Sequence, residues 1–157
     1  MILASTFVSA RSPHADNPDP RSRSEKTGSA SGASDGAAIE VHRALGPGFL
    51  ESIYEEALCL ELTHRSISFA RQVPIPLCYR SHPIGKSQLD LMVAGQLVVE
   101  LKAVPQILPI DVAQVISYLK AARKPLGLLL NFHVPVLQAG IKRVILSDKH
   151  KDARAQG

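Results

Sequence analysis

The chain has 157 residues, a formal net charge of +4 and an apolar fraction of 45%, with 4% aromatics and no tryptophan. This supports one domain with an aliphatic core, and no apolar run reaches the ~18 residues of a membrane span. The two cysteines, Cys59 and Cys78, form neither a CxxC nor a zinc spacing; both are expected to be buried reduced thiols in a cytoplasmic protein.

Residues 1–35 stand apart. From Ala10 to Gly36 the chain is rich in Ser, Pro, Gly, Ala, Asp and Arg, without a hydrophobic period. Such a stretch buries too little surface to offset its ordering entropy, so a disordered leader is expected over 1–35. Met1–Ala10 lacks the charged start and the long apolar run of a secretory signal. Charges within the leader cancel, so the net positive charge belongs to the folded part, expected over 36–148, with a frayed polar tail over 149–157. A basic surface favours a polyanionic partner.

Ala37–Leu45 reads as a short helix, with Ile39, His42 and Leu45 at helical spacing and Gly46-Pro47-Gly48 as its stop. Phe49 to about Arg65 reads as a longer helix whose expected core stripe is Leu50, Ile53, Ala57, Leu58 and Leu62. Glu51 and Glu55 lie one turn apart on its flank, and Tyr54 lies at i+3 from Glu51. Ser68–Tyr79 alternates Val73, Ile75, Leu77 and Tyr79 with Pro74, Pro76 and Cys78; two prolines confine such a strand to an edge. His82–Ser87 is expected to be a turn.

Leu89–Ala103, LDLMVAGQLVVELKA, reads as a β-hairpin. Side chains alternate along a strand, so Leu89, Leu91 and Val93 would face one way and Asp90 and Met92 the other. On the second strand Leu97, Val99, Leu101 and Ala103 would oppose Val98, Glu100 and Lys102. The three-residue loop Ala94-Gly95-Gln96 pairs Val93 with Leu97 and Asp90 with Glu100; a two-residue loop would place Glu100 among the leucines. Like charges opposite each other destabilise a sheet. Two readings are open on the hairpin alone: a site for a hard cation such as Mg²⁺, or a solvated face with a cross-strand ion pair.

Val104–Leu108 is a connection, and Pro109–Ala122 a strong helix with Val112, Val115, Ile116 and Leu119 as its stripe. Gln114 and Tyr118 sit at i, i+4 on another face. Gly127–Phe132, GLLLNF, suits a strand buried on both faces, and Gly140–Leu146 is a last strand or short helix. The order describes an α/β fold, a sheet with helices packed on it.

Together these pieces resemble the PD-(D/E)xK nuclease superfamily: a carboxylate, Asp90, on the first hairpin strand, then Glu100-Leu101-Lys102 on the second, with Leu89 where the family's name has proline. Gly48-Phe49-Leu50-Glu51-Ser52-Ile53-Tyr54 fits GxxExxY, which names a small family within that superfamily, and EVHRALGPGFLESIYEEAL, VELKAV, AQVISYLK, GLLLNF and GIKRVI resemble that family in the same order. The resemblance covers 37–146. It implies a restriction-endonuclease-like core, a mixed central sheet flanked by helices. It implies that Asp90 and Glu100 coordinate Mg²⁺ or Mn²⁺ with the Leu101 carbonyl, joined by Glu51 leaning over the site, and that Lys102 orients the attacking water or stabilises charge on the scissile phosphate. Gln114 and Tyr118 resemble a QxxxY motif that supports the site or touches nucleic acid; Tyr54 completes the family pattern. His42 is expected in the core or behind the site rather than as a ligand.

The implied function is metal-dependent phosphodiester hydrolysis of nucleic acid, DNA ahead of RNA, in repair, recombination or defence, with a homodimer as one way to enlarge the binding surface. The alternative is a non-catalytic nucleic-acid or protein interaction module that keeps the fold.

Overall fold

The structure, a computed structural model, describes residues 19–147. Residues 1–18 of the expected leader, and the expected tail, lie outside the described residues. The first helix, α1, spans Pro20–Leu45 rather than starting at Ala37. Its start is marked by Asp19, whose carboxylate accepts the Arg21 N–H at 3.0 Å, and by Pro20 in the first turn. For residues 20–35 the leader expectation is therefore corrected.

The reason lies in side-chain size. Thr27, Ala30, Ser31, Ser34, Ala37, Ala38 and Val41 are all buried, at helical spacing along one stripe. The first half of that stripe is Ala, Ser and Thr, so it carries almost no apolar signal, yet it lets the helix back approach its neighbours closely. Polar ties add to it: Thr27 Oγ1 donates to Gln96 Oε1 at 2.7 Å, and Asp35 pairs with Arg143.

After the Gly46-Pro47-Gly48 stop, with Gly46 at φ 68°, helix α2 covers Glu51–His64. Its buried face is Tyr54, Glu55, Leu58, Cys59 and Leu62. The expected stripe is thus rotated: Leu50 is 76% exposed and Ile53 46% exposed. Both stripes satisfy the helical period, and the stacking of Tyr54 on Phe132, centroids 4.4 Å apart, selects the observed one.

Five strands form one mixed sheet in the order β1-β2-β3-β4-β5: β1 Phe69–Tyr79, β2 His82–Val93, β3 Leu97–Lys102, β4 Leu126–Asn131 and β5 Ile141–Ile145. Only β3 and β4 are parallel, joined by helix α3, Pro109–Ala122. The proline-bearing β1 is an edge strand, as expected. His82–Ser87 is not a turn but the first half of β2; the chain reverses at Arg80-Ser81, whose φ values of 45° and 65° suit a two-residue hairpin turn. The Gly140–Leu146 alternatives resolve into a short 3-10 turn, Leu137–Gly140, followed by β5. A Cβ at Gly140 would collide with the Asn131 carbonyl, so this approach of the turn to β4 requires glycine.

One core lies between the sheet and α1/α2, with Leu91, Val93, Val99, Leu101, Leu128 and Phe132; the other lies between the sheet and α3, with Val98, Val115, Leu119 and Leu129. β4 contributes to both, as its unbroken apolar run implies. Of the cysteines, Cys59 is buried and Cys78 is exposed, which corrects the expectation for the latter.

Candidate active site

The hairpin register follows the three-residue loop: Val93 pairs with Leu97, Met92 with Val98 and Leu91 with Val99. There the β2–β3 ladder stops. Asp90 does not complete a regular pair with Glu100; its Oδ2 accepts the Leu101 N–H at 2.8 Å instead. The alternation on β2 also breaks at this residue. Leu91 and Val93 pack toward α1 and α2, whereas Leu89 packs toward α3 with Ile75 and Val98, which corrects the expectation of one common face. Gln72 of β1, between the pairs Arg71–Leu91 and Val73–Leu89, has φ 50°, an irregular backbone conformation opposite Asp90.

Glu100 is buried, and its Oε2 has no hydrogen-bond partner. Burial, then the charge of Asp90, push its carboxyl up to about 8, against the opposing pull of Lys102. Asp90 is raised as well, first by burial and then by the charges of Glu55 and Glu51, with the Leu101 N–H and Lys102 opposing. A buried carboxylate with an orphaned oxygen, repelled by a half-buried one beside it, is chemically suited to a hard divalent cation. Among the described residues no cluster of three His, Cys, Asp or Glu side chains is arranged for a metal. Mg²⁺ commonly takes only one or two protein carboxylates and completes its shell with water and substrate phosphate, so the Asp90–Glu100 pair fits that ion better than a closed cage would.

The sequence profile of the PD-(D/E)XK nuclease superfamily matches residues 30–144. The chain belongs to the PD-(D/E)XK nuclease superfamily. The mixed five-stranded sheet flanked by helices is the fold expected of it. No characterised protein and no solved structure matches the chain. The match begins at Ala30, within the stretch expected to be a leader.

Around the carboxylates of this PD-(D/E)XK chain, Lys102 at the end of β3 is gripped from α3. Its Nζ donates to Gln114 Oε1 at 3.2 Å and lies 3.6 Å from Asp111 Oδ1. Gln114 Nε2 donates in turn to Tyr118 Oη at 2.8 Å, which also accepts from Ser87 Oγ at 3.2 Å. The i, i+4 spacing of Gln114 and Tyr118 thus builds a polar chain from the lysine back to β2. Glu51, in the first turn of α2, accepts the Ala103 N–H at 3.2 Å just beyond Lys102, which brings the helix start to the end of β3. Tyr54 points away from any solvent-facing site. It is fully buried, donates to the Gly46 carbonyl at 2.6 Å and accepts the Phe49 N–H at 3.1 Å, so it supports the turn that sets Glu51. His42 is buried with Nε2 2.8 Å from the Val134 carbonyl, a core role as expected.

Two contributors escaped the sequence reading. Glu55 is buried between Arg71 Nε at 2.5 Å and Gln72 Nε2 at 2.8 Å, and adds its charge to the field at Asp90. Asn131, the one polar residue in GLLLNF, is buried; its Oδ1 accepts the Val104 and His133 N–H groups at 3.1 and 3.2 Å, and its Nδ2 donates to the Val104 carbonyl at 2.8 Å. Asparagine within an apolar strand was the available signal. It anchors the connection that leaves β3 directly after Lys102. Asn131→Ala is expected to cost about 2–3 kcal/mol, because Val104 loses both of its partners; urea unfolding measures it, and a change within ~0.5 kcal/mol would rule out this anchoring.

Proposed function

We propose that this PD-(D/E)XK protein hydrolyses phosphodiester bonds in nucleic acid, with DNA as substrate and a divalent cation, Mg²⁺ or Mn²⁺, as cofactor. The observation that carries the reading is the orphaned, buried Glu100 oxygen beside Asp90, with Lys102 held nearby. Asp90, Glu100 and the Leu101 carbonyl would hold the cation, with Glu51 within the same electrostatic field. Bound there, a divalent cation supplies an activated water and neutralises phosphate oxygens. Lys102 sets a positive charge beside the phosphate as negative charge develops on it. Gln114 holds the Lys102 ammonium in place, and Tyr118 holds Gln114.

The reading includes membership of the GxxExxY family. Each motif residue has local support: Gly48 has φ 114° in the turn, Glu51 caps the strand end, and Tyr54 ties the turn together. Among the described residues no helix is long and apolar enough to cross a membrane.

The test is a cleavage assay on DNA and RNA, single- and double-stranded, with Mg²⁺ and with Mn²⁺, run beside Asp90→Ala. Metal-dependent cleavage of DNA that disappears in the variant is expected. Absence of cleavage on every substrate and with both metals would leave an interaction module on a nuclease fold.

A further inference from the structure

β2 has twelve residues, yet only Leu91–Val93 pair with β3. The rest of β2 pairs with β1 alone, from Val73–Leu89 to Tyr79–His82. The base of this two-stranded ribbon is anchored, with Ile75 and Leu89 buried against α3. Beyond them, residues 76–86 are exposed except for the half-buried Leu77. The ribbon therefore projects from the sheet by about 15 Å, on the same strand that carries Asp90. A register shift at Leu77/Cys78, opposite Gly85 with φ 151°, adds twist to it.

Its charge is one-sided, beside the exposed Tyr79 and Ile84. Between Gln72 and Leu89 the charged side chains are Arg80 and Lys86, without a carboxylate, and His82 adds a further basic group. Arg80 lies over the Tyr79 ring, 5.5 Å from its centroid. Pro74 and Pro76 lie on the edge strand; lacking N–H groups, they cannot donate to an added strand. A ribbon that resists strand pairing and carries only positive charge suits a polyanion rather than another polypeptide.

We infer that the β1–β2 ribbon is an arm that enters the major groove of double-stranded DNA and holds the duplex across the Asp90–Glu100–Lys102 site. The B-form major groove, about 12 Å wide, admits a two-stranded ribbon; the A-form groove of RNA is too deep and narrow for side chains. Lys86 stands four residues from Asp90, roughly 13 Å along β2, so phosphates flanking the groove fall to Arg80 and Lys86 while a neighbouring phosphate reaches the carboxylates. The ribbon couples to the site through Ser87, which donates to the Tyr118 hydroxyl of the Lys102–Gln114–Tyr118 chain.

The inference rests on the proposed function in taking nucleic acid as the substrate, but its test does not require cleavage. The full chain is titrated in EDTA with a labelled 20-bp DNA duplex, the matching RNA duplex and the single strand, at several salt concentrations. The comparison is Arg80→Asn/Lys86→Gln, which removes two charges and keeps a residue tolerant of positive φ in the turn. Its unfolding curve should overlay that of the wild type. The wild type is expected to prefer the DNA duplex. The double variant is expected to bind it at least tenfold more weakly at 0.1 M salt, with the slope of log Kd against log salt reduced by about 2. Equal duplex binding by variant and wild type, or equal wild-type affinity for the RNA duplex, overturns the arm. Ribbon-dependent binding without any cleavage would sustain the arm and defeat the nuclease reading; cleavage with binding untouched by the variant would do the reverse.

Discussion

Lys102→Ala is expected to lower metal-dependent cleavage by about 10²–10³-fold, the usual cost of removing one group that stabilises charge in a transition state. The ammonium is fixed by Gln114 at 3.2 Å and Asp111 at 3.6 Å, so its charge is held in one place beside the carboxylates. The lysine repels a cation bound at Asp90 and Glu100, so its removal leaves metal binding in place. Single-turnover cleavage at saturating Mg²⁺ and pH 8 reads the first quantity, and the Mg²⁺-induced rise in melting temperature reads the second. Loss of cleavage with the thermal shift retained is the expected pattern. Cleavage within threefold of wild type would remove Lys102 from the chemistry. Gln114→Ala, which frees the lysine without deleting it, is expected to fall between the two.

The second large effect is on stability. Glu100 titrates near 8 in the folded protein against 4.5 ordinarily. Below about 4.5 folded and unfolded chains both hold the proton, and the group contributes no difference. Between 4.5 and about 8 the folded state binds the extra proton, so stability falls as pH rises; above that range both states are ionised and the loss levels off. Asp90, shifted in the same direction, adds to the slope at its lower end. The melting temperature of the metal-free protein should therefore fall from pH 5 to pH 8, by roughly 2–4 °C for each kcal/mol of repulsion. Glu100→Gln keeps the shape without the charge. It should melt higher than wild type at pH 8 in EDTA, show a flatter profile, and lose the Mg²⁺-induced stabilisation. Parallel profiles for the two proteins would mean that Glu100 is ionised without cost, and a Mg²⁺ shift that persists in the variant would place the cation elsewhere.

Both effects depend on residues that were legible in the sequence for definite reasons. The hairpin register followed from loop length and from two-residue alternation, because a slip of one residue would have put Glu100 among leucines. The helix Pro109–Ala122 was bounded by its own proline and by strong apolar spacing, which brought Gln114 and Tyr118 onto one face. Local geometry alone settles such features, and the acidic pair with its lysine was visible through them.

Other features had equally good local alternatives. The face that α2 buries was ambiguous, since stripes through Leu50 and Ile53 or through Tyr54, Leu58 and Leu62 have the same period; contact with Phe132, far away in the chain, decides between them. Residues 20–35 carry too little apolar surface to announce a helix, and only packing against the rest of the fold orders them. The opening of the β2–β3 ladder at Asp90, the change of face at Leu89 and the anchoring of Val104 by Asn131 are likewise tertiary. The sequence by itself determined the order of the elements, the hairpin register and the identity of the charged residues, because these rest on short-range sterics and periodicity. Tertiary structure alone decided that Glu100 is buried with an oxygen left over and that Lys102 is held from α3, because desolvation and long-range hydrogen bonds exist only once the sheet and helices have packed.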